Sequence, residues 1–497
     1  MQSEPSIAEG AFAQSVDVLI IGAGISGIGA AHHLQEKCPG QSYAILERRE
    51  SMGGTWDLFR YPGIRSDSDM YTLGYSFYPW RSPKSIADGP AILEYVKDTA
   101  REFGIDKKIE HGVHVKSASW CSETSRWTVE AEATDSGEVR RFDCGFLFMC
   151  SGYYNYDAGY TPKFEGLDDY EGRVVHPQFW TPDIEYTGKQ VVVIGSGATA
   201  VTLVPELAKQ AEHVTMLQRS PTYVVSAPGR DPLAVWLRER VPQNLAYHLV
   251  RWKNILLGIA MFNFCKRRPE AAKRLILKGV EKNLNPGYDV KTHFNPRYNP
   301  WDQRMCLVPD ADLFDSINAG TSSVVTDRID TFTKKGIRLQ SGAELEADLV
   351  VTATGLDLQL MGGLVVTVDG ERVDPAKSMT YKSMMFSDIP NLALSFGYTN
   401  ASWTLKCDIT CDYVTRLLNF MQKKGYTECR PRVVDSKVEV ESMLNLTSGY
   451  IQRSADVFPK QGTKAPWRLY QNYLLDKLTI GLSRIQDPAL EFGRSRR

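Results

Sequence analysis

The chain has 497 residues, 43% of them hydrophobic and 24% charged, with 58 basic against 59 acidic side chains. That length fills two or three domains, and the balanced charge argues against a nucleic-acid partner. No apolar run reaches bilayer-spanning length; the best candidate, residues 255–264, is too short.

Residues 1–10 are polar and acidic, without the basic start of a signal peptide. The first apolar strand, residues 18–21, runs into Gly22-Ala-Gly24-Ile-Ser26-Gly27 and then a helix. In such a turn the first glycine makes the bend and the second admits a pyrophosphate. The third lets helix and strand pack closely. The helix N-terminus offers its free N–H groups to phosphate. A second apolar strand, residues 43–46, ends at Glu47, which can accept from a ribose diol. This first site suits FAD or NAD, with the hydroxyls of Ser26 and Thr55 as candidates to reach the pyrophosphate. Residues 53–90 read as a loop rich in Gly, Pro and aromatics, too long to be idle. A helix follows over 91–103, then strands over 127–132 and 142–149.

The strand at 191–194 opens a second fingerprint, Gly195-Ser-Gly197-Ala198-Thr199-Ala200. Here the strand at 214–218 is closed by Arg219, with Ser220 next, and a cation at that position attracts a 2′-phosphate. This site suits NADPH. One glycine-rich turn is a weak signal, but two, each with a ribose reader at the right offset, are strong. They hold two dinucleotides against each other and imply hydride transfer between them. Residues 231–282 read as helices, apolar on one face and basic on the other. The expectation is ordinary packed helices with a solvated charged face. A membrane-surface helix, with Lys266, Arg267, Arg268, Lys273, Arg274 and Lys278 near residues 255–264, is the second reading.

Strands return at 324–329 and 348–353, and a helix spans 404–421. Cys407 and Cys411 lie one turn apart on that helix and read as core thiols rather than a redox or metal pair. The nine cysteines are scattered without a CxxC, which suits a reduced, cytoplasmic protein. The eight histidines show no ligand spacing, so no metal is expected. The architecture is α/β: two Rossmann-type dinucleotide-binding domains, the second inserted in the first, plus a helical insert. The boundaries are 1–154 with 356–497 for the FAD-binding domain, 155–228 with 300–355 for the NADPH-binding domain, and 229–299 for the insert.

Three further motifs resemble those of Baeyer–Villiger and related flavin-dependent monooxygenases. They are Gly53-Gly54-Thr55-Trp56 continuing through Tyr61-Pro62-Gly63 to Asp67, the run Tyr170, Gly172, His176, Trp180, and Ala353-Thr354-Gly355. The likeness runs from about residue 16 to about residue 473. Residues 60–69, 299–310, 398–403 and 459–462 resemble most the subgroup of ethionamide-activating and long-chain alkane and ketone monooxygenases. Two departures are Tyr170 in place of phenylalanine and Thr181 after Trp180.

The resemblance implies FAD, NADPH and oxygen, and a small hydrophobic ketone, thioether or amine as substrate. Ketones become esters or lactones, with sulfide and amine oxidation besides. Reduced flavin forms an oxygen adduct at its C4a carbon, which survives only where water is excluded and its negative charge is held. A fixed cation beside the ring is the natural device. By resemblance Arg304 is that cation and Asp67 orients it, with Asp69 as a nearby competitor. Trp56 either lines the flavin site or fills core. Gly172, His176 and Trp180 read as a hinge between domains, with a catalytic histidine at His176 as the second reading. Ala353, Thr354 and Gly355 would touch a cofactor where the chain crosses back. The competing readings are a pure heteroatom oxygenase, a long-chain alkane hydroxylase, a redox-sensing flavoprotein, and a two-domain disulfide reductase, which needs a cysteine pair facing the flavin.

Overall fold

The first strand, β1 (Gln14–Ile21), is buried on both faces over its last four residues, as the centre of a parallel sheet must be. Val18 and Ile20 point to one core, Leu19 and Ile21 to the other. The computed structural model describes residues 12–434, 438–443, 449–454 and 456–495. The polar segment 1–10 and the last two residues, Arg496 and Arg497, lie outside them.

From β1 the chain continues through α1 (Ile25–Lys37), β2 (Tyr43–Leu46), α2 (Thr55–Leu58), α3 (Met70–Leu73) and α4 (Gly89–Glu102). Residues 53–90 are otherwise irregular, as their composition predicts. Strands β3 (Ile109–Glu110), β4 (Val113–Cys121), β5 (Arg126–Ala133) and β6 (Val139–Met149) extend the sheet. β1 pairs in parallel with β2 and β6, while β4, β5 and β6 are antiparallel neighbours.

The chain then leaves this sheet through β7 (Tyr154–Gly159) and builds a second one with β8 (Arg173–Val175) and β9 (Gln190–Ile194). Helix α5 (Ala198–Leu207) follows β9 and leads to β10 (His213–Gln218), then β11 (Val224–Ala227). Helices α6 (Pro232–Arg238), α7 (Gln243–Arg267), α8 (Pro269–Asn283) and α9 (Val290–His293) come next. After them lie β12 (Cys306–Pro309), α10 (Asp312–Asn318) and β13 (Ser322–Thr326). An antiparallel trio, β14 (Ile329–Thr333), β15 (Gly336–Leu339) and β16 (Glu344–Glu346), precedes β17 (Leu349–Thr352). The second sheet runs β13-β10-β9-β17-β8 and is parallel throughout.

The return crossing is β18 (Leu356–Leu358), antiparallel to β7, so the two passages form one ribbon. β19 (Val365–Val368) and β20 (Glu371–Val373) then rejoin the first sheet beside β4. The strand Leu392–Leu394 pairs with the end of β6, and α11 (Trp403–Lys424) packs on α1. The insertion of one sheet into the other is as the two fingerprints predict.

Two local expectations change. The run read as one strand over 324–329 breaks at Asp327, whose carboxylate accepts from the backbone N–H groups of Arg328 and Ser341. An aspartate that bonds the backbone ends the pairing. In the helical region, one charge of α7 departs from the expected solvated face, while Lys266 and Arg267 keep to it. Arg251 is 4% exposed and donates to the carbonyls of Tyr71, Thr72 and Gly74, which clamps α7 onto the first domain. Leucines take the solvent side instead.

Candidate active site

The two glycine turns face each other across one cavity of about 1050 Å³. In the first turn Gly22 has φ +104° and a Cβ there would lie 2.7 Å from the Cys150 carbonyl oxygen, so only glycine fits. Gly27 is packed beneath the turn rather than lining the cavity; a Cβ on it would meet the Gly22 carbonyl at 1.9 Å. Gly24 is different. A methyl there finds only Gly54 Cα, at 3.5 Å, so the space it guards lies on the cavity side. Gly54, at φ +56°, packs back-to-back against Gly24, and Thr55 and Trp56 follow along the wall. Glu47 is buried and lines the same end; its carboxylate accepts from the N–H groups of Ala23 (2.8 Å) and Arg49 (2.9 Å). Burial pushes that carboxyl upward, against the pull of those two N–H groups. Ser26 lines the cavity too, yet its hydroxyl accepts from the Trp403 indole at 2.8 Å and lies 3.3 Å from the Cys407 thiol.

In the second turn Gly195 has φ +142° and a Cβ would meet the Ala353 carbonyl at 2.3 Å, while Gly197 faces open space. Ala200 fills the third position, fully buried, where the first turn admits only Gly27. Ala198 and Thr199 start α5 on the cavity wall. Arg219 and Ser220, exposed at the end of β10, line the same wall. So do Ala353, Thr354 and Gly355, with Thr354 Oγ1 donating to the Tyr160 carbonyl at 2.7 Å. Both turns fit a dinucleotide: a cavity-lining glycine with nothing closer than 3.5 Å to an added Cβ, a helix start behind, and an acid or a base at the ribose position.

The loop after β2 joins the two halves. Gly54 touches Gly24, Tyr61 hydrogen-bonds Thr199, Arg65 pairs with Asp312 of α10, and Asp67 Oδ2 lies 3.9 Å from Arg304 Nη1. Asp67 and Arg304 both line the cavity, each partly exposed to it. Asp69 does not compete. It caps α3, accepting from Thr72 N at 3.1 Å and from Asn254 at 2.9 Å, and faces away.

Gly172, His176 and Trp180 lie outside the cavity. A Cβ on Gly172 would strike the Tyr170 hydroxyl, which donates to the Ala347 carbonyl at 2.9 Å. The hydroxyl that distinguishes Tyr170 from phenylalanine is therefore satisfied. His176 accepts from Gln178 N through Nδ1 at 3.2 Å, which leaves Nε2 to donate to the Gly355 carbonyl at 3.0 Å. Burial holds this imidazole below its ordinary range, and its ring fills the space beside Gly159. His176 thus ties the second domain's entry to both strands of the crossing ribbon.

Two aromatic rings of the cavity wall, Tyr153 and Trp403, and a third behind them have no joint signature in the sequence. Tyr153 stacks on Trp403 at 5.3 Å, and Phe396 closes the group at 5.3 and 5.2 Å. The residues come from three separate elements, and only the run 398–403 carried a signal. Cys407 and Cys411 are buried free thiols, and burial pushes Cys407 up to about 11, so it stays protonated. Neither lines the cavity, so they form no pair facing a flavin. Among the described residues no group of three or more His, Cys, Asp or Glu is placed to hold a metal.

Comparison with known proteins adds three findings. The flavin-binding monooxygenase-like family matches residues 15–373. The FAD-containing monooxygenase EthA of Mycobacterium tuberculosis is 54% identical over 482 residues, 97% of this chain and 98% of that one. Two solved structures share the fold at low identity. An oxidised steroid monooxygenase bound to NADP has a TM-score of 0.77 at 22% identity, covering 97% of this chain and all of that one. Cyclohexanone monooxygenase bound to ε-caprolactone has 0.72 at 21%, with the same coverage. The chain belongs to the flavin-binding monooxygenase-like family and is a flavin-dependent monooxygenase.

Proposed function

We propose that the protein is an FAD-containing, NADPH- and oxygen-dependent monooxygenase of Baeyer–Villiger type. It converts small hydrophobic ketones to esters or lactones and oxidises some sulfides and amines. The observation that carries this reading is one cavity lined by both glycine turns, Glu47, Arg219, Asp67 and Arg304. The relative EthA is named for FAD, one fold neighbour holds NADP and another holds a lactone.

Residues 1–154 with 356–497 form the FAD-binding domain, 155–228 with 300–355 the NADPH-binding domain, and 229–299 the helical insert. Gly22, Gly24 and Gly54 hold the FAD pyrophosphate, with Glu47 on the ribose. Gly195, Gly197 and the start of α5 hold the NADPH pyrophosphate. Arg219 and Ser220 take the 2′-phosphate. Bound flavin, reduced by NADPH, supplies the activation of oxygen. The chain's own residues do the rest. Arg304 presents a fixed positive charge where negative charge develops on oxygen, and Asp67 orients its guanidinium. Tyr153 and Trp403, backed by Phe396 in the core, keep water from one side of the cavity. His176 steadies the crossing ribbon while the NADPH domain moves. Nine unpaired thiols suit a reducing compartment, and the cytoplasm is the reading.

The test is direct. Purified protein should show a flavin spectrum and oxidise NADPH faster than NADH. With a ketone and a thioether offered in parallel, product analysis should find ester or lactone. Sulfoxide without any ester would instead favour the heteroatom oxygenase, and alcohol from an alkane the hydroxylase.

A further inference from the structure

Helix α7 is built inside out for a helix on the surface of a globular domain. Its positions 245, 249, 252 and 256 share one face by the helical repeat, and they are Leu, Leu, Trp and Leu, all exposed. Leu249 is 46% exposed and Leu256 52%. The opposite face, with Tyr247, Val250 and Ile255, packs inward and takes Arg251 with it. Neighbouring elements continue the patch. Trp236 of α6 is 51% exposed, and Leu478, after the short helix Tyr473–Asp476, is 60% exposed. Trp252 joins α7 to the segment that carries Leu478: its ring is 6.0 Å from that of Tyr473 and 5.2 Å from Lys477 Nζ.

We propose that this face docks on an anionic lipid bilayer, with α7 lying in the plane of the interface. Two features select that partner. Large apolar side chains exposed side by side mark an interaction surface, not ordinary scatter. The charge around them is predominantly basic: residues 231–282 carry eleven basic and four acidic side chains. Although Arg251 is buried and Lys253 and Lys266 pair with Asp231 and Asp302, Arg267 and Arg268 stand exposed at the end of α7. No acidic residue occurs between Arg240 and Pro269. A second copy docking through the same face would set those basic residues against one another, whereas anionic headgroups neutralise them. Among the described residues no helix is long and apolar enough to cross a membrane, so the contact is peripheral. This reading does not depend on the oxygenation chemistry.

Flotation of the full-length, flavin-loaded protein with lipid vesicles tests it. Vesicles of phosphatidylglycerol and phosphatidylcholine in equal parts should carry the protein up at low salt. Pure phosphatidylcholine vesicles, or high salt, should carry much less. In the double variant L249S/L256S binding should fall by about tenfold per leucine removed from the bilayer. The charge variant R267E/R268E should weaken binding to anionic vesicles alone. Both variants should keep the flavin spectrum, the melting temperature and the rate with a water-soluble ketone. Absence of flotation at low salt, or a double variant that floats like wild type, overturns the proposal. So does a wild-type dimer that L249S/L256S converts to monomer without any vesicle binding, since the face would then belong to a second copy.

Discussion

Replacing Arg304 by alanine separates a structural ion pair from a catalytic charge. Its guanidinium lies 3.9 Å from Asp67, with both side chains partly in solvent. A pair so long and so exposed contributes about 0–1 kcal/mol to folding. Arg304→Ala should therefore leave the melting temperature almost unchanged. The glycine turns are untouched, so FAD and NADPH should bind as before. The charge itself is another matter. A preorganised group stabilising developing negative charge is worth about 2.7–4 kcal/mol, a rate factor on the order of 10²–10³. Ester formed per NADPH should fall by that factor, with the lost turnover appearing as hydrogen peroxide. Arg304→Lys keeps the charge but not the planar fork that can pair with Asp67 and face the cavity together, so rescue should be partial. The assay measures product, peroxide and NADPH consumed in wild type and both variants. Near wild-type coupling in the alanine variant would refute the catalytic role.

Three other outcomes follow from the geometry. Gly24→Ala should fold normally, because the added methyl meets nothing closer than 3.5 Å, yet purify without flavin; full flavin content would show that no pyrophosphate lies there. Arg219→Ala removes one charge-assisted contact worth about 1.5–3 kcal/mol, so the KM for NADPH should rise roughly ten- to hundredfold while that for NADH stays put. An unchanged ratio of the two constants would assign the 2′-phosphate to another residue. Burial, with His33 beside it, holds His32 down to about 4 from 6.5, its ring stacked 3.6 Å from Phe77. The folded form keeps this ring neutral, so the unfolded chain takes the proton first as pH falls. Stability should decline between pH 6.5 and about 4, by up to ~3 kcal/mol from this group. His32→Phe should flatten that slope in urea melts, and an unaltered slope would place the acid sensitivity elsewhere.

The parts of this protein that were legible in its sequence are those set by local geometry. Gly22 and Gly195 stand where φ is positive and a carbonyl leaves no room for Cβ, so the chain has to spell glycine there. Glu47 and Arg219 follow strands of fixed length, so their offset from each turn is readable. The inserted second sheet follows from the order of the two fingerprints, whereas the β18–β7 pairing at the crossing does not. What tertiary structure alone decided is what depends on distance in space. Asp67 and Asp69 are two residues apart and alike in chemistry; only the packing of α3 turns one to Arg304 and the other to a helix cap. His176 bonds Gly355 across 179 residues, and no spacing announces it. Tyr153, Phe396 and Trp403 meet from elements scattered through the chain. Helical periodicity showed that α7 has an apolar face, but not which way it points. Arg251 satisfies its charge on three backbone carbonyls of the first domain and so turns the leucines toward solvent. A repeat of 3.6 residues sorts side chains into faces, and only the neighbours that a face meets decide which of them is inside.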